Sequence, residues 1–366
     1  MTLATRTIIL AVSTAVASLA FGCPDTSAPV AATSAPAVLV PAVRTDPVPH
    51  DADDPAVWVD PVSPGRSLIL GTDKAAGTGG LYVFGLDGHV RQTIAPLDRP
   101  NNVDVEYGLS VGGRLVDIAV VTERNKNRLR VYRIDPATHR LDDLTSRGGI
   151  RVLDGQTGEA AEPMGIGLYR RPRDGAVFAI ISPKTGPRTG YLWQYRLAED
   201  GAGKVKGAFV RRFGSFSGTG EIEAVAVDDP PGYVYYADED AAIRKWHADP
   251  DDPQAATELA VFARRSFAGQ REGIGIFIHP DGTGYVAAID QTPGSSALHL
   301  FRREGGPRGP HDHIQTVKVA ATGADDTDGI EVVNAPLGPA FPHGALVVMN
   351  SRGRNFFLYR WDDVMR

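Results

Sequence analysis

From residue 53 onward the hydrophobic and polar positions repeat in one order. An acidic or polar corner leads into a short apolar run. A turn follows, then a second apolar run ending on a charged residue, then a third run carrying aromatics. The first unit reads DDPAVWVDP, SLILGTDK and GLYVFGLDG, and the second NNVDVEYGL, VDIAVVTER and RLRVYRID. Four more units follow, the last reading DTDGIEVVN, GALVVMNS and NFFLYRWDD. Val, Ile, Tyr and Phe fill the runs while Gly, Pro and Asp fill the turns, which predicts strands and tight connections. No long stretch after the N-terminal segment carries helical periodicity. Units starting about 50 to 60 residues apart are spaced like propeller blades rather than helical repeats. Six such units predict an all-β chain folded as a six-bladed β-propeller, with stretches such as Arg211-Arg212-Phe213 and 314–319 as outer fourth strands.

In a propeller, the first strand of each blade lines the central channel. Its N-terminal corner and the end of the antiparallel second strand share one rim. Six such pairs follow from the repeat: Asp53 and Asp54 with Asp73 and Lys74, Asp104 with Glu123 and Arg124, Glu162 with Lys184, Glu223 with Asp238 and Glu239, Glu272 with Asp290, and Asp328 with Asn350. Nearly every position is acidic, with a few cations between. Carboxylates crowded on one mouth repel and call for counter-ions. Oxygen donors without clustered Cys or His select hard cations, and crowded, flexible loops outside the cell favour several Ca²⁺ ions over Mg²⁺. Lys74, Arg124 and Lys184 add an anionic substrate to that picture.

Composition narrows the class. The formal net charge of −6 argues against nucleic acid as a partner. Residues 1–22 read as a signal peptide, with Arg6 as the positive end followed by an apolar run too short to span a membrane. Cys23 is the only cysteine, so no intrachain disulfide forms. LAFGC resembles a bacterial lipobox, which places the chain in the cell envelope on a lipid anchor or, without lipidation, as a secreted protein. Residues 23–44 read as an Ala-, Pro- and Ser-rich tether and 45–366 as the propeller, a monomer. His311 and His313 form an HDH in a Gly- and Pro-rich loop, with a solvated turn and a weak metal site as the two readings.

DADDPAVWV at 51–59, NNVDVEYG at 101–108 and DTDGIEVV at 326–333 resemble the signature stretches of β-propeller phytases, and the likeness runs from about residue 45 to the C-terminus. The resemblance implies a calcium-dependent phosphomonoesterase acting on phytate, inositol hexakisphosphate, or another phosphorylated polyol as its calcium complex. It implies Asp53, Asp54, Asp104, Glu223, Glu239, Glu272 and Asp328 as calcium ligands or their partners. Lys74, Arg124 and Lys184 match phosphate-contacting cations. Attack by a metal-bound water, oriented or deprotonated by Glu223 and Glu272, is the expected mechanism. Ala75, Met164, Gln270 and Thr322 stand where the family pattern has a lysine, a tyrosine and two aspartates, so charge is missing from one side. The alternatives are a non-catalytic calcium-binding scaffold and a lactonase-type propeller with one central metal.

Overall fold

The computed structural model describes residues 38–292, 294–319 and 326–366. The expected signal peptide, Cys23, most of the tether and Thr322 lie outside them. The described strands form six antiparallel sheets arranged as a β-propeller. Blade 1 is Ala52–Trp58, Leu68–Asp73, Gly79–Gly85 and Val90–Leu97. Blade 2 is Pro100–Val111, Arg114–Glu123 and Arg128–Asp135, with Arg140–Asp143 and Ile150–Arg151 both on its outer side. Blade 3 is Pro163–Arg170, Val177–Pro183, Thr189–Glu199 and Val205–Ser215. Blade 4 is Val225–Asp228, Tyr233–Asp238, Ala242–His247 and Ala260–Phe262, and blade 5 is Gln270–Ile278, Gly284–Thr292, Ser295–Arg302 and His313–Lys318. Blade 6 is Ile330–Val333, Ala345–Asn350 and Asn355–Arg360, completed by Val43–Arg44 from the start of the chain.

That last pairing corrects the expected tether boundary at residue 44. Val43 pairs with Leu358 and Arg44 with Phe357, so the N-terminal segment supplies the outermost strand of the last blade. The physical reason is edge satisfaction: without a partner, Asn355–Arg360 would leave a row of backbone groups unpaired. Leu39 is buried in the same region, and Val38 bridges to Lys318 of blade 5. The innermost strands touch around the ring, the sixth against the first, so the fold closes on itself.

The apolar core is divided among the blade interfaces. Within Leu68–Asp73, Ile69 packs toward blade 6 while Leu68 and Leu70 pack toward blade 2. Each central strand is therefore buried on both faces, which is why runs such as LIL and VFAII read as continuous rather than alternating. Trp58, Trp193, Trp246 and Trp361 each belong to one of these clusters, as core residues rather than channel groups.

Two devices fix the height of the channel-facing corners. In blades 1, 2, 3 and 5 the register of the inner strand shifts at its entry, between Ala52 and Pro55, Pro100 and Val103, Pro163 and Ile166, and Arg271 and Ile274. Such irregularities turn side chains out of the regular alternation, and here they contain Asp53, Asp54 and Glu272. The second device is a hydroxyl staple. Thr72 accepts from the Asp54 N–H at 3.0 Å and donates to the Asn101 carbonyl of the next blade at 2.7 Å. Thr122 does the same with the Asn102 N–H (3.0 Å) and the Met164 carbonyl (2.8 Å). Ser182 repeats it with the Gly165 N–H and the Ile222 carbonyl.

Each staple satisfies a buried donor and a buried acceptor on two blades at once. Replacing Thr122 by Val keeps the shape and strands both groups. The expected cost is about 1–3 kcal/mol of unfolding free energy, read from denaturant titration.

Candidate active site at the channel mouth

The propeller brings most of the expected residues together. Lys74, Glu221, Glu223, Glu239, Gln270, Glu272 and Asp328 line one depression. Lys74 lies at its centre, donating to Asp53 Oδ1 at 2.6 Å and to Asp328 Oδ2 at 2.8 Å. Gln291 donates to the other Asp328 oxygen at 2.6 Å. Glu239 Oε2 accepts from the Glu221 N–H at 2.7 Å and from Gln270 Nε2 at 3.4 Å. The last contact shows what Gln270 does in place of a carboxylate: it donates into the acidic cluster instead of adding to it.

The remaining cations sit along the same rim. Lys184 Nζ pairs with Glu221 at 2.5 Å and Arg124 Nε with Glu162 at 2.7 Å. Glu162 therefore serves Arg124 through its side chain, and meets Lys184 only through its carbonyl, which accepts the Lys184 N–H at 2.9 Å. Glu123 pairs with Arg128 rather than with its neighbour Arg124. Arg188 donates to the Ser217 carbonyl in the connection between blades 3 and 4.

Asp54 and Asp104 line the channel, as do Asp53, Glu223 and Asp328. Asp54 Oδ2 accepts the Val103 N–H of blade 2 at 3.0 Å, and Asp104 Oδ2 accepts the Leu168 N–H of blade 3 at 2.6 Å. Each carboxylate thus ties its own inner strand to the next. Gly329 allows this on the sixth blade: a Cβ there would lie 2.4 Å from Asp54 Oδ1. Gly165 is needed for a similar approach, since its Cβ would meet the Glu223 carbonyl at 1.9 Å.

Sequence reasoning missed five acidic residues. Glu106, Asp228, Asp229 and Glu331 line the channel with Asp104, and Glu221 lines the mouth. The signal was present in part, because Glu106 stands two positions after Asp104 on one strand and so shares its face. Glu331 stands inside DGIEVV, where an acid in an apolar run is itself a flag.

Burial dominates the electrostatics. It pushes Asp104 up to about 7 against its two backbone hydrogen bonds. Burial raises Glu223 to about 7, with Lys74 opposing and Asp328 adding repulsion. Glu239 rises to about 7 by burial, although the Glu221 N–H stabilises its charge. Asp53, Asp54, Glu272 and Glu331 are pushed well above the usual carboxylate range by the same cause. In the channel, burial and Asp229 lift Glu106 to about 9, while Asp229 itself rises to about 6. Burial alone would lower Lys74, but Asp53, Asp328 and Glu223 outweigh it and raise it.

These groups want positive charge. Among the described residues, no three His, Cys, Asp or Glu side chains already form a metal-holding cluster. One observation bears on fit: Asp53 Oδ2 is buried and has no hydrogen-bond partner, while its other oxygen holds Lys74. An all-oxygen donor set with a spare buried carboxylate oxygen suits a hard divalent cation.

Comparison with known proteins gives the family. The sequence profile described as Phytase matches residues 2–356. The chain belongs to the phytase family. A 3-phytase of Bacillus subtilis (strain 168) is 31% identical over 334 residues, covering 88% of this chain and 83% of that protein. A solved complex described as BBS1N with ARL6DN, soaked with lead, aligns over 89% of this chain and 97% of its own at 8% identity and a TM-score of 0.47, too low to carry an argument. The family membership makes this chain a phytase enzyme and assigns no individual residue a role.

The raised carboxylates fix the sign of a pH effect. Asp104, Glu223 and Glu239 bind protons in the folded state up to about 7, whereas the unfolded chain releases them near about pH 4. Between those values the folded state holds more protons, so stability falls as pH rises. In a chelator, Tm is expected to be higher at about pH 5.5 than at about pH 8, and saturating Ca²⁺ to remove that difference. A Tm that rises with pH in chelator contradicts the assignment.

Proposed function

We propose that this enzyme hydrolyses phosphomonoesters of phytate or a related phosphorylated polyol, with several Ca²⁺ ions held by the mouth carboxylates. The carrying observation is the alternation of charge on one rim. Lys74 lies among Asp53, Glu223 and Asp328, with Lys184 and Arg124 set along the same edge on Glu221 and Glu162. The 3-phytase relative supports the substrate class.

Asp53, Glu223, Glu239, Glu272 and Asp328 would hold the ions, with Asp54 and Asp104 fixing the strands beneath them. Bound there, Ca²⁺ supplies charge neutralisation and Lewis acidity toward the phosphoryl group. Lys74, Arg124 and Lys184 bind phosphoryl oxygens, and the planar Arg124 guanidinium can do so with two parallel hydrogen bonds. Each cation has a carboxylate partner on the rim, so phosphate binding exchanges one anionic partner for another. Glu223, lifted to about 7, is matched to take a proton from water near neutral pH. Glu272 faces the same depression and orients that water. No side chain needs to act as a covalent nucleophile.

Export to the cell envelope through residues 1–22, and lipidation of Cys23, belong to the same proposal. An extracellular setting supplies the calcium that the mouth requires.

Phosphate release from phytate is expected to depend on Ca²⁺ and to vanish in excess chelator. Glu223→Gln keeps the shape and removes the proton acceptor, so kcat should fall about 100-fold or more with Tm retained. Lys184→Ala should act mainly on KM, because it removes a contact made to ground state and transition state alike. Undiminished turnover in chelator would rule out the calcium reading, and wild-type kcat for Glu223→Gln would remove that residue from the chemistry.

A further inference from the structure

Away from the mouth, the outer half of blade 5 carries a second polar cluster of a different chemical kind. His299 lies on Ser295–Arg302 directly opposite Thr316 of His313–Lys318, and a register shift beside Phe301 brings His313 to the same place. His299 Nδ1, His313 Nε2 and Thr316 Oγ1 form a triangle with every side 3.1 Å. Asp290 Oδ2 stands 3.4 Å from the other nitrogen of His299. Phe267 stacks on the His299 ring at 4.4 Å and holds its plane.

The tautomers follow from the outer partners. Asp290 accepts the Nε2 proton of His299, which leaves a lone pair on Nδ1. His313 has its own backbone hydrogen bond at Gln315, of the kind that favours a protonated ring nitrogen there. Burial holds both rings below the ordinary histidine range, so both are neutral at pH 7. Two ring lone pairs then face each other across 3.1 Å with one threonine hydroxyl to share. That hydroxyl can donate to only one of them.

We propose that His299 and His313 bind a borderline divalent transition ion such as Zn²⁺, with Thr316 or water on the third corner and Asp290 as the carboxylate behind the first ligand. With metal–nitrogen bonds of about 2.0–2.1 Å, two nitrogens 3.1 Å apart subtend about 100° at the metal, between tetrahedral and octahedral values. The carboxylate–imidazole–metal relay is the usual support for such a ligand. Imidazole donors separate this site from the all-oxygen mouth, so Ca²⁺ does not compete for it. His313 is exposed, which leaves an entry path. His311, its neighbour in HDH, takes no part: it is buried on Phe262 and bonds the Arg302 carbonyl at 2.7 Å.

The site reaches the mouth through Asp290. Its two oxygens accept the Gly269 and Ala268 N–H groups at 2.7 and 2.8 Å, on the segment that leads into Gln270 and Glu272.

The test is calorimetric titration of the untagged mature protein with Zn²⁺ in excess Ca²⁺. One saturable site is expected, weakened at least tenfold in His313→Ala, with a Zn²⁺-dependent rise in Tm that the variant lacks. Calcium-dependent phytate hydrolysis should be equal in both. If the variant folds poorly, Cu²⁺ electron paramagnetic resonance on the wild type decides, two coordinated nitrogens being expected. Zn²⁺ binding that is absent, or equal in wild type and His313→Ala, or a copper spectrum without two nitrogens, overturns the site and leaves a shared proton between the rings.

Discussion

The constraint behind this structure is the repulsion of carboxylates that the ring places together and partly removes from water. At an effective dielectric of about 20, two like charges 4 Å apart repel by about 4 kcal/mol. Asp53, Glu223, Glu239, Glu272 and Asp328 come from five different stretches of chain and meet at one depression, with Asp53 joined to it through Lys74. They respond in the two ways open to buried acids. Some are pushed toward their neutral forms, as Glu223 and Glu239 are. Others gather cations, as Asp53 and Asp328 gather Lys74. A polyanionic substrate and divalent ions fit the same logic, because each supplies what the other lacks.

The fold explains why such strain is held in place. The apolar clusters lie between blades, so each blade is locked to two neighbours and the mouth cannot spread without opening an interface. Register shifts at the inner-strand entries and the Thr72, Thr122 and Ser182 staples then fix the height of the corners. The staples occur in blades 1 to 3. Ala237 takes the equivalent place in blade 4, where the Glu221 N–H donates instead to the Glu239 carboxylate. Val43–Arg44 closes the ring from the far end of the sequence, making the N-terminal segment part of the structural lock.

Much of this was legible in the chain. The sixfold repeat gave the blade number, because propeller blades repeat the same punctuation of corner, strand and turn. The corners gave the mouth acids, because the geometry of a first strand forces its entry onto the rim. What escaped was anything decided between units rather than within one. Val43 and Arg44 look like the end of a Pro- and Ala-rich stretch, and only the unpaired edge of blade 6 makes them a strand. Lys184 finds its ion-pair partner, Glu221, on the stretch leading into the next blade. Glu106, Asp229 and Glu331 converge in the channel through the closure of the ring, which no local pattern records. Asp104 lines the same channel, and its hydrogen bond from the Leu168 N–H of the next blade is likewise set by ring closure.

In the proposed function, divalent cations neutralise this mouth and present it to phosphate. A crystal structure of the protein soaked with Ca²⁺ and inorganic phosphate tests it most directly. Ions are expected about 2.3–2.6 Å from oxygens of Asp53, Glu223, Glu272 and Asp328, with phosphate between them and within reach of Lys74. Phosphate bound elsewhere, with those four carboxylates free of metal at saturating Ca²⁺, would contradict it.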